Sequence, residues 1–208
     1  QYPWERIQEP QPPFAPTEYN PVGCYIKKFT LPSYFPLDRV VITFEGVEAA
    51  YYLYVNGIRV GYSEGTFRHS EFDITEFLTE GENTLAVEVY RWCTGSWLED
   101  QDFFRLSGIF REVYLCTTNE QYIEDVKVLA KPDTSDYKTG ELTAEIVLGK
   151  ESGSTEGEMT VYDMDGDVVA SDSVTVQNEG VINLKATLPF VNLWSAENPY
   201  LYNVVIAI

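Results

Sequence analysis

Ala50-Tyr51-Tyr52-Leu53-Tyr54-Val55-Asn56-Gly57-Ile58-Arg59-Val60-Gly61-Tyr62 is the stretch that decides the fold. Two runs rich in β-branched and aromatic residues flank Asn-Gly, a pair that accepts positive φ at both central turn positions. This predicts a β-hairpin closed by a type I′ turn. Outward from it the signals stay those of strands. Val40-Val41-Ile42-Thr43-Phe44 is short and β-branched, and Thr84 to Tyr90 alternates with Leu85, Val87 and Val89 on one face. Gly108 to Leu115 reads as one further strand. The only helical hint is Ile74, Phe77 and Leu78 after Asp73, enough for about one turn.

A second series begins near Tyr122. Ile123–Ala130, Leu142–Leu148, Met159–Met164, Val168–Ala170, Ser173–Val176 and Val181–Leu188 read as short strands. Pro132-Asp133, Thr139-Gly140, Gly149 to Gly157 and Asp165-Gly166 supply the turn chemistry between them. Short strands at regular spacing without helices predict sandwiches, and the second series has the length of an immunoglobulin-like one. Aromatic-rich composition gives way to Val, Thr and Ser at Thr117 to Gln121, which places the boundary there. The fold class is all-β, with one sandwich over residues 1–118 and a second over 119–208. Residues 1 to about 18, with five prolines, form an extended arm.

Composition narrows the function. A formal charge of −19 over 208 residues disfavours nucleic acid, whose phosphates need clustered Lys and Arg, and disfavours an anionic membrane surface for the same reason. No apolar run reaches membrane-spanning length. Cys24, Cys93 and Cys116 are odd in number and lack a CxxC pair, so they read as buried free thiols in a reducing compartment. The chain begins at Gln1 without an initiator Met and ends in Val204-Val205-Ile206-Ala207-Ile208, and a fragment is the reading expected from both ends.

The segment from Arg91 to Arg105 lacks alternation and crowds aromatics with carboxylates. Ring faces pack on sugar C–H surfaces and carboxylates accept paired hydroxyls, so the mixture suits a carbohydrate. Taken alone, Trp92, Trp97, Phe103 and Phe104 more often serve packing. Glu99 and Asp102 do not make a glycosidase pair by proximity, because such pairs need a rigid separation of about 5–5.5 Å or roughly 6.5–9.5 Å. Asp163-Met164-Asp165-Gly166-Asp167 opens like a calcium loop but lacks the later Glu and the flanking helices, and an Asp-Gly hairpin explains it better. His69 is the only histidine, which leaves little for a histidine metal cluster or a Ser-His-Asp triad.

Thr17-Glu18-Tyr19-Asn20-Pro21-Val22-Gly23-Cys24-Tyr25 resembles the entry to the jelly-roll domain of bacterial β-galactosidases of glycoside hydrolase family 2. So do Val55-Asn56-Gly57 with Val60-Gly61-Tyr62, and Phe72-Asp73-Ile74 with Gly81 to Val87. The most specific match is Leu98-Glu99-Asp100-Gln101-Asp102 running into Arg105-Leu106-Ser107-Gly108-Ile109-Phe110-Arg111. Leu193 to Tyr202 resembles the last strand of the family's immunoglobulin-like second domain. The resemblance implies a jelly-roll sugar-binding domain, an immunoglobulin-like domain, and a separate (β/α)₈ barrel holding two catalytic glutamates in a retaining mechanism. It makes Asp102 a substrate contact and a sodium ligand, with Trp97, Glu99 and Arg105 as its supporting loop. The remaining sodium ligands and a magnesium site belong to the barrel, so no cofactor is expected for this chain alone. An Asn that assists in relatives falls upstream of Gln1, and Phe104 stands where relatives often have Trp. Implied partners are a galactoside, the chain's own barrel and homo-oligomer neighbours, in a cytoplasmic enzyme. This chain alone is expected to be inactive. A free-standing carbohydrate-binding module, a sibling such as β-glucuronidase or β-mannosidase, and an adhesion protein are the competing readings.

Overall fold

A computed structural model describes residues 11–99, 104–150, 153–177 and 179–208. The chain divides between Asn119 and Glu120 into two compact units, each a pair of facing antiparallel sheets.

The first unit runs β1 (Val22–Thr30), β2 (Arg39–Phe44), β3 (Val47–Glu48), β4 (Ala50–Val55), β5 (Ile58–Glu64), β6 (Ser70–Asp73), β7 (Glu82–Tyr90), β8 (Gly108–Ile109) and β9 (Val113–Thr118). One sheet has the order β1-β7-β4-β5 and the facing one β6-β2-β9, with β3 and β8 forming a separate short ladder. The quoted hairpin is β4 and β5. Asn56 has φ 50° and Gly57 φ 80°, and Val55 pairs with Ile58 across the turn, as a type I′ turn requires. Strand alternation then decides what is buried. Tyr51, Leu53 and Val55 of β4 face Val40, Ile42 and Phe44 of β2, and Val87 and Val89 complete the core. Phe44, Tyr51 and Phe72 meet with ring centroids 4.8–6.4 Å apart. The expected helical turn is a 3-10 turn at Thr75–Phe77.

Gly108 to Leu115 is not one strand. β8 pairs with β3 and β9 pairs with β2, and Phe110-Arg111-Glu112 breaks between them, where Phe110 N–H donates to Gly46 O and Glu45 N–H to Glu112 O. The apolar residues on both sides of the break carry no sign of it. Two of the three cysteines also depart from expectation. All three are free, but only Cys93 is buried; Cys24 and Cys116 are exposed, since each points away from the core on an edge strand.

The second unit contains β10 (Ile123–Pro132), β11 (Gly140–Leu148), β12 (Ser154–Tyr162), β13 (Val168–Gln177), β14 (Val181–Leu188) and β15 (Asn203–Ala207). Its sheets have the orders β10-β11-β14 and β13-β12-β15. Alternate residues of β11, β12 and β14 are buried. In register, Leu142 lies opposite Ala186 and Ala144 opposite Leu184, each a large side chain beside a small one, while Ile146 lies opposite Ile182. Val168–Ala170 and Ser173–Val176 join into the single strand β13. Gly157, expected in a turn, lies inside β12 and faces Ile182. Leu193 to Tyr202 holds no strand; the terminal strand is β15. Asp163 to Asp167 closes the β12–β13 hairpin: the Asp163 Oδ1 accepts from Asp165 N–H (3.0 Å) and Asp167 N–H (2.9 Å), while Gly166 takes φ 87°. The Asp-Gly hairpin reading holds.

Candidate functional site

β7 ends at Tyr90 and β8 begins at Gly108, and the acidic–aromatic segment is the connection between them. Its base is clamped from the arm side by Asn20. That side chain donates to Trp92 O and accepts from Trp92 N–H, both at 3.0 Å, while Arg91 N–H donates to Pro21 O. One amide thus satisfies both backbone groups of a buried tryptophan. Arg91 and Arg105 place their guanidinium carbons 5.1 and 5.7 Å from the Trp92 ring centroids, within cation–π range.

Next comes a 3-10 turn at Thr94–Trp97. The Ser96 hydroxyl accepts from Cys93 N–H at 3.1 Å and lies 3.8 Å from the Cys93 Sγ. Burial pushes the Cys93 thiol up to about 11, so it is not a nucleophile at neutral pH. Three bonds then brace the turn from outside. Trp97 Nε1–H donates to Phe14 O (2.9 Å), Thr94 Oγ1–H to Glu64 (3.1 Å), and Arg105 Nη2–H to Ser96 O (3.1 Å). Glu99 accepts from the Thr66 hydroxyl (2.8 Å) and Thr66 N–H (3.3 Å). These two bonds tie Glu99 to a neighbouring loop.

Trp97, Glu99 and Arg105 thus bond different partners, Phe14 O, Thr66 and Ser96 O, around one segment. Trp92 plugs the base as a packing residue. Phe104, by contrast, is 91% exposed and Leu98 79%, so the far part of the connection presents apolar side chains outward. Asp102, the residue expected to touch substrate, lies outside the described residues, as does Phe103.

Three residues that sequence reasoning passed over complete the site: Asn20, Thr66 and Glu48. Asn20 sits in a quoted run, but nothing in its neighbours announces a clamp 72 residues away. Glu48 belongs to a two-residue strand, paired with Gly108, too short to leave a periodic signal. It is buried, and its Oε2 has no hydrogen-bond partner among the described residues. Burial raises its carboxyl above the ordinary value of 4.5, against the lowering effects of the Leu106 N–H bond, Arg105 and Arg91, with Glu99 adding to the rise. A carboxyl raised on folding holds its proton more tightly in the native state. Its contribution to stability is complete below the unfolded value and is lost as pH rises from near 4.5 through the folded one. Glu48→Gln is expected to flatten that part of the pH–stability curve. Urea midpoints of wild type and variant, measured from pH 4 upward, check this; parallel curves would show that Glu48 does not titrate in that window.

Among the described residues no three His, Cys, Asp or Glu side chains cluster as metal ligands. Sodium, like other hard cations, takes several oxygen ligands. Asp102, to which the resemblance assigns a sodium contact, lies outside the described residues.

Two successive antiparallel β-sandwiches, the first carrying a braced acidic–aromatic connection, are the class of fold that the chain presents. The chain belongs to glycosyl hydrolase family 2: residues 1–119 match the model "Glycosyl hydrolases family 2, sugar binding domain" and residues 121–208 match "Glycosyl hydrolases family 2". A β-galactosidase of Priestia megaterium is 44% identical over 215 residues, covering 100% of this chain and 21% of that protein. The chain spans about a fifth of the length of the curated relatives it matches, over their N-terminal part. A β-glycosidase from Bacteroides vulgatus superposes with a TM-score of 0.74 at 24% identity, over 89% of this chain and 23% of that one. A β-glucuronidase of Bacteroides uniformis gives 0.75 at 22%, over 90% and 24%. Both structures share the fold. Among the described residues, no helix is long and apolar enough to cross a membrane.

Proposed function

We propose that these 208 residues are the non-catalytic amino-terminal portion of a β-galactosidase, and that the Arg91–Ser107 connection forms one wall of its active site. The observation that carries this is a connection fixed at its base by Asn20, Glu99 and Arg105 while Leu98 and Phe104 stand exposed. A preorganised loop with an outward apolar part suits presentation to a second surface and to the C–H face of a sugar. Identity of 44% with a β-galactosidase across the whole chain supports galactosidase over its siblings.

On this reading Asp102 accepts hydroxyl hydrogen bonds from the galactosyl group and shares in a sodium site. The bonds of Trp97, Glu99 and Arg105 hold the backbone on either side of it. The two catalytic glutamates of a retaining hydrolysis lie on the barrel, outside this chain. Three free thiols suit a reducing, cytoplasmic setting.

The purified 208-residue chain is expected not to cleave a chromogenic galactoside, whereas the complete polypeptide encoded by the gene should. In that polypeptide Asp102→Asn is expected to lower turnover at least roughly tenfold, a barrier change of about 1.4 kcal/mol, and to blunt the response to sodium with little change in melting temperature. Cleavage by the short chain alone, or unchanged kinetics of the variant across sodium concentrations, would refute the assignment.

A further inference from the structure

The two sheets of the first unit do not match in width: four strands face three. The mismatch falls at one side, where β1 on one sheet and β9 on the other are both edges among the described residues. Between them lies an apolar groove of about 470 Å³. Its walls are the inward residues of β1 (Tyr25 and Phe29), the floor residues Ile42 and Phe44, and Val113 and Leu115 of β9. Tyr25 is 43% exposed although its strand mate Val87 is buried, so the inward face of β1 is only partly covered among the described residues, with Tyr25 lying against Gly108. Lys27 is the one charged residue lining the groove among the described residues. The second unit repeats the pattern, with about 450 Å³ between its edge strands β10 and β15, lined by Val128, Ala130, Tyr202 and Val204.

We infer that the groove is a vacant strand position, filled by an extended segment of the same enzyme lying outside these 208 residues, which adds antiparallel or parallel to the free edge of β9. A sheet edge supplies a row of unpaired backbone donors and acceptors, and alternate pockets beside it select the side chains. The six residues of β9 offer an edge of about 20 Å. The occupant is therefore a strand of similar length with apolar residues on its inward side and an acidic residue opposite Lys27. The relatives carry about four-fifths of their length beyond the matched region, so such a segment is tethered, with the high effective concentration this brings. A second copy is a poorer occupant, since each chain carries a formal charge of −19 and copies repel.

This rests on the reading that the chain belongs to a larger glycosidase, but not on which sugar that enzyme cleaves. Hydrogen–deuterium exchange of the 208-residue chain and of the complete polypeptide tests it. Amides of Val113–Thr118 are expected to exchange at least roughly tenfold faster in the short chain. Val113→Lys in the complete polypeptide should return them to fast exchange while Ala50–Val55 stays protected, which shows that the sandwich still folds. Equal rates in the two proteins, or protection that survives Val113→Lys, would overturn the inference. So would protection of β9 in the short chain that rises with its concentration, because the occupant would then be a second copy. A galactosidase assay on the same complete polypeptide keeps the functional reading separate: protected β9 in an inactive protein would sink that reading alone.

Discussion

Replacing Asn83 by alanine is expected to destabilise the first unit by about 3–5 kcal/mol, and to lower its melting temperature by roughly 10–20 °C. Asn83 is a buried polar side chain in the core-facing row of β7. Its Oδ1 accepts from Thr79 N–H (2.8 Å) and from Asn56 Nδ2–H (2.7 Å), and its Nδ2 donates to Thr79 O (2.9 Å) and Gly81 O (3.2 Å). Asn56 in turn accepts from Thr84 N–H and donates to Phe77 O. The pair ties the tip of the β4–β5 hairpin to the 3-10 turn and to the loop entering β7. Alanine removes the partner of several groups at once and leaves them without water, and each buried unsatisfied group costs about 1–3 kcal/mol. Thr79→Ala removes only a 3.2 Å hydroxyl bond and should cost less than about 1 kcal/mol. Guanidinium unfolding of the 208-residue chain, followed by fluorescence and near-ultraviolet dichroism, measures both. A loss below about 1 kcal/mol for Asn83→Ala would mean that solvent reaches these groups and that the network is ornamental to the fold.

What the sequence revealed and what it hid follow one physical division. Local chemistry was legible. Asn56-Gly57 specified its turn because positive φ at two successive residues admits few alternatives, and the alternation of β7 named its inward face because a half-buried strand has a period of two. The Asp163–Asp167 turn was legible for the same reason. Long-range pairing was not. Nothing between Ile109 and Val113 announces that the chain leaves β3 for β2, since both partners lie sixty or more residues away in sequence. Cys24 and Cys116 read as small apolar residues within strands, yet their exposure depends on which strands became edges. At the candidate site, the composition of Trp92 to Arg105 marked the segment, and resemblance selected Asp102, which lies outside the described residues. The braces were invisible: Asn20, Thr66 and Glu48 act through partners 72, 33 and 60 residues distant.

Trp92→Ala should be nearly as damaging as Asn83→Ala in stability, at about 3–5 kcal/mol, and it should also reach the active site. The ring is buried, and the two arginines beside it gain from its π-face. Removing it opens a cavity beneath the connection and deprives Arg105 of the surface that aims its bond at Ser96 O. Trp92→Phe keeps a ring and most of the apolar volume, and should cost less than about 1.5 kcal/mol. The two variants separate packing from function. If the connection works as a preorganised wall, the complete enzyme carrying Trp92→Ala should lose kcat/KM well below its melting temperature, where both variants are fully folded, while Trp92→Phe retains most of it. Arg105→Lys belongs in the same series. Lysine keeps the charge but lacks the planar fork that donates to Ser96 O beside the ring, so its activity should fall with little change in melting temperature. A Trp92→Ala enzyme with wild-type kcat/KM at low temperature would show that the connection tolerates a loose base, and the braces would then concern stability only.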